Sequence, residues 1–84
     1  MTALDLSQRI QKVLKAHGRL NQDPAMLPET ADLYQAGLTS HASVNVMLAL
    51  EGEFEIEFPD QMLTRNVFNS IHSIRSALAA LKVA

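Results

Sequence analysis

The residues best placed to do chemistry are two adjacent hydroxyls, Thr39 and Ser40, between a glycine turn and a strongly apolar segment. Gly37 permits a backbone shape that a residue with a Cβ would resist. We expect a helix to begin here, with Thr39 as its N-cap and Ser40 as its first residue. The N-terminus of a helix has free N–H groups and a positive dipole end, which favour a bound phosphate. Ser40 therefore has two candidate roles, capping the helix and carrying a phosphodiester. On residue type alone, capping is the commoner role.

Other chemistries find little support in the sequence. His17, His41 and His72 fall on separate predicted elements without the spacing of metal ligands. The acidic run over residues 51–60 lacks the glycine and spaced oxygen ligands of an EF-hand loop. His41 is next to Ser40 but points about 100° away on a helix, and no hydrolase-like partner spacing surrounds the serine. We therefore predict neither a metal site nor a catalytic activity of the protein's own.

The length of 84 residues predicts a single domain over residues 1–84. Cysteine is absent, which excludes a disulfide framework and fits a cytoplasmic setting. The net charge of −2 argues against a nucleic-acid partner, which needs a basic face. The N-terminus does not resemble a signal peptide, and the apolar run at residues 46–50 is too short to span a bilayer. We expect a cytoplasmic monomer with no nucleic-acid or membrane partner.

A first helix is predicted over about residues 3–17, with Thr2 and Asp5 spaced like a capping box. Its apolar positions recur at helical spacing and define one core face: Leu6, Ile10, Val13 and Leu14. The alternative, a membrane-surface helix, predicts binding to anionic vesicles. Residues 19–39 form a long connection with Pro24 and Pro28, longer than most loops in small domains. Five apolar side chains are expected to fold this connection over the core: Leu20, Met26, Leu27, Leu33 and Leu38.

The second helix is predicted from Ser40 to about Glu53, and it is apolar on more than one side. A core stripe recurs at four-residue steps: Ala42, Val46, Leu50 and Phe54. Val44 and Leu48 lie on a neighbouring face. A helix of so small a domain cannot be buried all round, so this second face is expected to be exposed to a partner.

The C-terminal part is predicted to contain two further helices. Residues 53–58 alternate as in a strand, but no second strand pattern exists, so we expect an extended link with Phe54, Ile56 and Phe58 inward. A short helix over about residues 61–66 follows, capped by Asp60, with Met62 and Leu63 inward. A last helix covers about residues 71–82, capped by Ser70. The predicted fold is an all-α, small four-helix bundle with a long first loop and a short third helix.

The stretch around Ser40 resembles the acyl carrier protein family, in which a serine at the start of helix 2 carries 4′-phosphopantetheine. The resemblance includes these positions in unbroken register: Asp32-Leu33, Gly37-Leu38, Ser40, Leu50-Glu51, Phe54 and Pro59-Asp60. It extends over essentially the whole chain, including the last helix. The resemblance implies that Ser40 is the covalent attachment residue and that the cofactor supplies the thiol that this sequence lacks.

Three positions depart from the family pattern. Thr39 replaces the usual Asp before the serine, His41 replaces the usual Leu after it, and Asn45 stands where an acid is common. The net charge of −2 is also mild for a carrier of fatty acid synthesis. These differences fall on the surface that modifying and loading enzymes would read. They favour a dedicated carrier over one for housekeeping fatty acid synthesis.

The resemblance implies a carrier that presents an acyl or aminoacyl thioester to partner enzymes and has no catalytic activity itself. Its partners would be a phosphopantetheinyl transferase, a loading ligase and downstream enzymes. The implied partner face on helix 2 comprises His41, Val44, Asn45, Leu48 and Glu51, with Glu53 on its charged rim. The carried group remains open between an amino acid and a polyketide or peptide-synthetase intermediate. The alternatives are a fatty acid synthesis carrier and an unmodified helical adaptor in which Ser40 only caps the helix.

Overall fold

A computed structural model describes residues 6–81, which form four α-helices. These are α1 (Leu6–His17), α2 (Ser40–Phe54), α3 (Arg65–Phe68) and α4 (Ile71–Ala80), with 3₁₀ turns at Pro24–Met26 and Asp60–Met62. None of residues 6–81 forms a strand. The predicted all-α fold with a long first loop and a short third helix is confirmed. The predicted capping box of Thr2 and Asp5 lies outside the described residues.

The core lies where α1 packs against α2 and α4. The apolar face predicted for α1 is confirmed, because Ile10, Val13 and Leu14 are buried and Leu6 is half-buried. From α4, Ile71, Ile74 and Leu78 are fully buried. The predicted Ser70 cap is also confirmed: its hydroxyl accepts a hydrogen bond from the Ser73 N–H, and the Ser73 hydroxyl accepts one from the Ser70 N–H. These caps satisfy N–H groups that no helical carbonyl reaches.

The long connection is tied to the helices by backbone hydrogen bonds. Leu33 N–H donates to the Asn69 carbonyl at 2.7 Å, and His72 N–H donates to the Glu29 carbonyl at 2.9 Å. Of the apolar residues expected to pack inward, Leu33 and Leu38 are buried, and Leu20 and Leu27 pack partly against the core. The prediction for Met26 is wrong, since it is 77% exposed. The 3₁₀ turn capped by Asp23 directs Pro24 inward and leaves Met26 at the surface.

A polar cluster reinforces this attachment. The Glu29 carboxylate accepts hydrogen bonds from the Ser7 hydroxyl at 2.7 Å and from the Arg75 guanidinium at 3.0 Å. Ser7 lies on α1 and Arg75 on α4, so one loop carboxylate bridges two helices. The connection therefore approaches Ser40 as an anchored segment.

The third helix differs from its predicted bounds. Instead of one helix over residues 61–66, the chain forms a 3₁₀ turn that begins at Asp60 and then α3 from Arg65. Leu63 ends the 3₁₀ turn and is 44% exposed, so its predicted inward orientation is wrong. Met62 is half-buried against the core, as predicted. The core is closed instead by Phe58 and Phe68, which meet edge to face with ring centroids 5.4 Å apart.

Gly37 gives a direct test of the turn before α2. Its φ is +110°, and an added Cβ would lie 3.2 Å from the Asn21 nitrogen. We expect Gly37→Ala to lower the free energy of unfolding by about 1–3 kcal/mol. In contrast, nothing lies within 4 Å of a Cβ added to Gly52 in the interior of α2. Gly52→Ala should therefore stabilise the fold by about 0.5–1 kcal/mol in the same urea titration. Equal effects of the two variants would contradict this description of the turn.

Candidate functional site

Ser40 is the first residue of α2, and its side chain is exposed. The cap is Thr39, whose Oγ1 accepts a hydrogen bond from the Ala42 N–H at 3.0 Å. Within residues 6–81, the Ser40 hydroxyl has no hydrogen-bond partner. Since Thr39 satisfies the helix terminus, Ser40 is not needed as a cap. The predicted division between N-cap and first helical residue is confirmed, and the hydroxyl is accessible for modification.

A groove of about 350 Å³ opens beside Ser40, between α2, the long connection and the start of α3. Its apolar lining includes Val44, Met47, Leu63 and Phe68. At its rim, the Arg65 guanidinium stacks over the Tyr34 ring, with Cζ 4.0 Å from the ring centroid. This pair could not be predicted from the sequence, because its two residues are brought together only by the packing of α3 beside the connection. A flexible chain attached to Ser40 would have this groove as its nearest apolar surface.

The predicted partner face is largely exposed. His41, Val44, Asn45 and Leu48 are all exposed on α2. They occupy positions i, i+3, i+4 and i+7, which form one stripe of a helix beginning beside Ser40. Val44 and Leu48 are 50% and 56% exposed, whereas the core stripe of Ala42, Val46 and Leu50 is buried. The apolar surface predicted on α2 is therefore present, and its role in docking stays a prediction.

The two acids expected beside this face have contacts within the domain. The Glu51 carboxylate accepts a hydrogen bond from the Phe58 N–H at 2.8 Å, which fixes the chain leaving α2. Glu53 pairs with Arg9 at 3.1 Å, and the Arg9 guanidinium lies 4.3 Å from the centroid of the Phe54 ring. Sequence reasoning missed these structural roles, because both partners come from other segments of the chain. The hydrogen bond to Phe58 uses one acceptor site on Oε2 of Glu51, so the carboxylate keeps further acceptor sites for a partner.

The described part of the chain contains no cluster of side chains that could bind a metal ion. The three histidines are exposed on separate elements. Across residues 6–81, no three His, Asp or Glu side chains come together as candidate ligands. The site is thus an exposed serine hydroxyl beside an apolar groove.

Comparison with known proteins identifies the family. A family model described as "Phosphopantetheine attachment site" matches residues 5–81. The chain belongs to the phosphopantetheine-binding carrier protein family. The aminoacyl carrier protein of Agrobacterium fabrum is 41% identical over 73 residues, which cover 87% of this chain and 88% of that protein. Aminoacyl carrier protein 1 of Bradyrhizobium diazoefficiens is 34% identical over 70 residues, covering 83% and 78%.

Solved carrier structures agree with this carrier protein in fold. One is a crystal structure of an engineered Bradyrhizobium japonicum glycine:[carrier protein] ligase complexed with an Agrobacterium tumefaciens carrier protein and ATP. That match has a TM-score of 0.87 and 39% identity, and covers 90% of this chain and 99% of the matched one. A B. japonicum ligase complexed with glycylated carrier protein matches with a TM-score of 0.67 and 35% identity, covering 87% and 99%.

The residues present fit phosphopantetheine. Ser40 offers a free, exposed hydroxyl, and its position in the first turn of α2 suits a phosphate. Among the described residues, no carboxylate lines the groove next to it, so nothing there repels the phosphodiester. The carrier protein itself lacks cysteine, and the cofactor supplies the thiol. Within residues 6–81, no helix is long and apolar enough to cross a bilayer.

Glu51 provides a test that separates folding from docking. Glu51→Ala removes the acceptor of the Phe58 N–H and should cost about 1 kcal/mol in the free energy of unfolding. Glu51→Gln keeps an acceptor oxygen and removes the charge, so we expect it to stay close to wild-type stability. A slower rate of loading by a ligase in Glu51→Gln at wild-type stability would assign the charge to partner recognition. Unchanged loading in a stable Glu51→Gln would remove Glu51 from the predicted partner face.

Proposed function

We propose that this protein is an aminoacyl carrier protein that holds glycine as a thioester on phosphopantetheine attached to Ser40. The observation that carries the proposal is its likeness, at 35–41% identity, to carriers solved in complex with glycine:[carrier protein] ligases. The three departures around Ser40 support a dedicated carrier, since Thr39, His41 and Asn45 replace residues typical of general acyl carriers. The carrier would act in the cytoplasm, where the modifying and loading enzymes are expected.

Ser40 contributes the nucleophile for its own modification by a phosphopantetheinyl transferase. Its Oγ attacks the β-phosphorus of coenzyme A, the phosphorus–oxygen bond to the 3′,5′-ADP leaving group breaks, and the hydroxyl proton passes to a base of the transferase. The exposure of Ser40 and the cap at Thr39 present the hydroxyl to the transferase at the start of α2. The loading ligase then uses ATP to activate the amino acid and transfers it to the thiol.

Docking is assigned to the stripe of His41, Val44, Asn45 and Leu48. Polar and apolar side chains alternate along the stripe, a mixed composition that is usual for a non-obligate interface. The stripe contains no carboxylate. A small docking area of this kind favours fast release, which a carrier needs because it must leave each enzyme after one step.

Loading by a purified ligase tests the proposal. The holo-protein is incubated with a glycine:[carrier protein] ligase, ATP and single amino acids, and intact mass is recorded. We expect the mass of one glycyl group to be added with ATP and not without it. A parallel reaction uses an acyl ligase and medium-chain fatty acids. Acylation by fatty acids together with no aminoacylation would overturn the proposal in favour of a fatty acid carrier.

A further inference from the structure

The only full charge in the described lining of the groove beside Ser40 is positive. Its lining from the described residues contains one full charge, the guanidinium of Arg65, and no carboxylate. The remaining lining is apolar or carries hydroxyls: Tyr34, Ser40, Ser43, Val44, Met47, Leu63, Thr64 and Phe68. Such a surface accepts a neutral or apolar chain and repels a cation.

Arg65 is held at this rim by an aromatic ring. Its guanidinium lies 4.0 Å from the Tyr34 ring centroid. Within residues 6–81, no carboxylate forms an ion pair with it, whereas Arg9 and Arg75 each have one. A cation held by stacking and paired with no carboxylate repels an ammonium group that comes within a few ångströms, and solvent weakens this repulsion because Arg65 is exposed.

The cargo of an aminoacyl carrier changes the charge at the free end of the phosphopantetheine arm. An unloaded arm ends in a neutral thiol, whereas an aminoacyl arm ends in an ammonium group at neutral pH. We propose that the groove shelters the unloaded arm and releases the aminoacyl arm to solvent, with Arg65 as the residue that discriminates between them. Loading would thus expose the arm to the next enzyme. This inference rests on the proposed function, because only an amino acid cargo brings the ammonium.

A pair of matched cargoes isolates the charge. Coenzyme A analogues with an amide in place of the thioester allow a transferase to install glycyl and propionyl arms that resist hydrolysis. Propionyl has the size of glycyl but carries a methyl group in place of the ammonium. Two-dimensional ¹H–¹⁵N spectra then report docking through the backbone amides of Met47, Thr64, Arg65 and Phe68, relative to the unmodified protein.

We expect the propionyl arm to shift these groove amides and the glycyl arm to leave them close to the unmodified protein. The ratio of docked to free arm should differ by roughly tenfold between the two cargoes, as expected for two like charges a few ångströms apart near a surface. Arg65→Met keeps a long side chain without the charge and should bring the glycyl spectrum toward the propionyl one. Lys12→Met, which removes an exposed cation of α1 outside the groove, is the control and should preserve the difference.

A pH series gives an independent test that needs no substitution. Between about pH 6.5 and about pH 9.5 the glycyl amine loses its proton, so the glycyl arm should dock at the upper end of the range. Among the described residues, Tyr34 and Arg65 line the groove, and His41 and the Asp32 carboxylate, which accepts a hydrogen bond from the Tyr34 N–H, lie next to it. The propionyl form measured over the same range corrects for these groups. Identical glycyl and propionyl spectra at neutral pH, or a difference that survives in Arg65→Met, would overturn the inference. Failure of the transferase to attach either arm would instead refute the carrier function itself, and this inference with it.

Discussion

Ser40→Ala is expected to abolish attachment of phosphopantetheine, because it removes the only atom that we propose to be modified. Intact mass after incubation with a broad-specificity transferase and coenzyme A should show one added cofactor in the wild type and none in the variant. The loss should not reflect unfolding. Ser40 is exposed and Thr39 provides the cap, so the free energy of unfolding should stay within about 0.5 kcal/mol of wild type.

Two control variants make this result specific. Ser43→Ala removes a hydroxyl from the same helix and the same groove, and it should be modified normally. Thr39→Ala removes the cap and should lower the free energy of unfolding by about 1 kcal/mol while retaining the modification site. Attachment that persists in Ser40→Ala, or that is lost in Ser43→Ala, would contradict the assignment. An unmodified wild type would favour the helical adaptor.

Leu48→Glu is expected to slow loading roughly tenfold or more in kcat/KM of the ligase, since it replaces one of the two exposed apolar side chains of the stripe with a charge. The side chain is 56% exposed, so the fold should tolerate the change. Reactions are stopped at timed intervals and analysed by intact-mass spectrometry, which gives the rate of loading. Urea titration gives the free energy of unfolding.

Leu50→Ala is the matched control, two residues along the same helix. Leu50 is fully buried, so its truncation should cost about 2–5 kcal/mol in the free energy of unfolding. Loading by the fraction that remains folded should be normal.

If Leu48→Glu unfolds the protein instead, Leu48 belongs to the core and the partner face is assigned wrongly. If the variant is stable and loads at the wild-type rate, the ligase does not use this stripe.

The elements that hold Ser40 in place could be predicted because their signals are local. The apolar period of α2, the hydroxyl cap at Thr39 and the left-handed turn at Gly37 each follow from a few neighbouring residues. The same is true of the Ser70 cap of α4. A free Ser40 hydroxyl does not follow from the sequence alone, since residue type favours Ser40 as a cap; in the structure Thr39 is the cap.

The parts that could not be predicted depend on the local path of two turns and on contacts that form only when the chain is packed. Asp60 was expected to cap a helix, but the chain after Pro59 forms a 3₁₀ turn and restarts at Arg65, which leaves Leu63 exposed. The hydrogen bond from Phe58 to Glu51 and the stack of Arg65 on Tyr34 arise only once the bundle is packed. Met26 was expected inside because it is apolar, yet the turn at Pro24 directs it to solvent.

The most direct test of the account is tandem mass spectrometry of the protein after modification and loading with glycine. Trypsin cleaves after Arg19 and Arg65, and no Lys or Arg lies between them, so one peptide contains both Ser40 and Ser43. The account predicts glycyl-phosphopantetheine on Ser40 in that peptide, with Ser43 unmodified. A peptide that stays unmodified, that carries the cofactor on another hydroxyl, or that carries it on Ser40 without ever accepting an amino acid would contradict it.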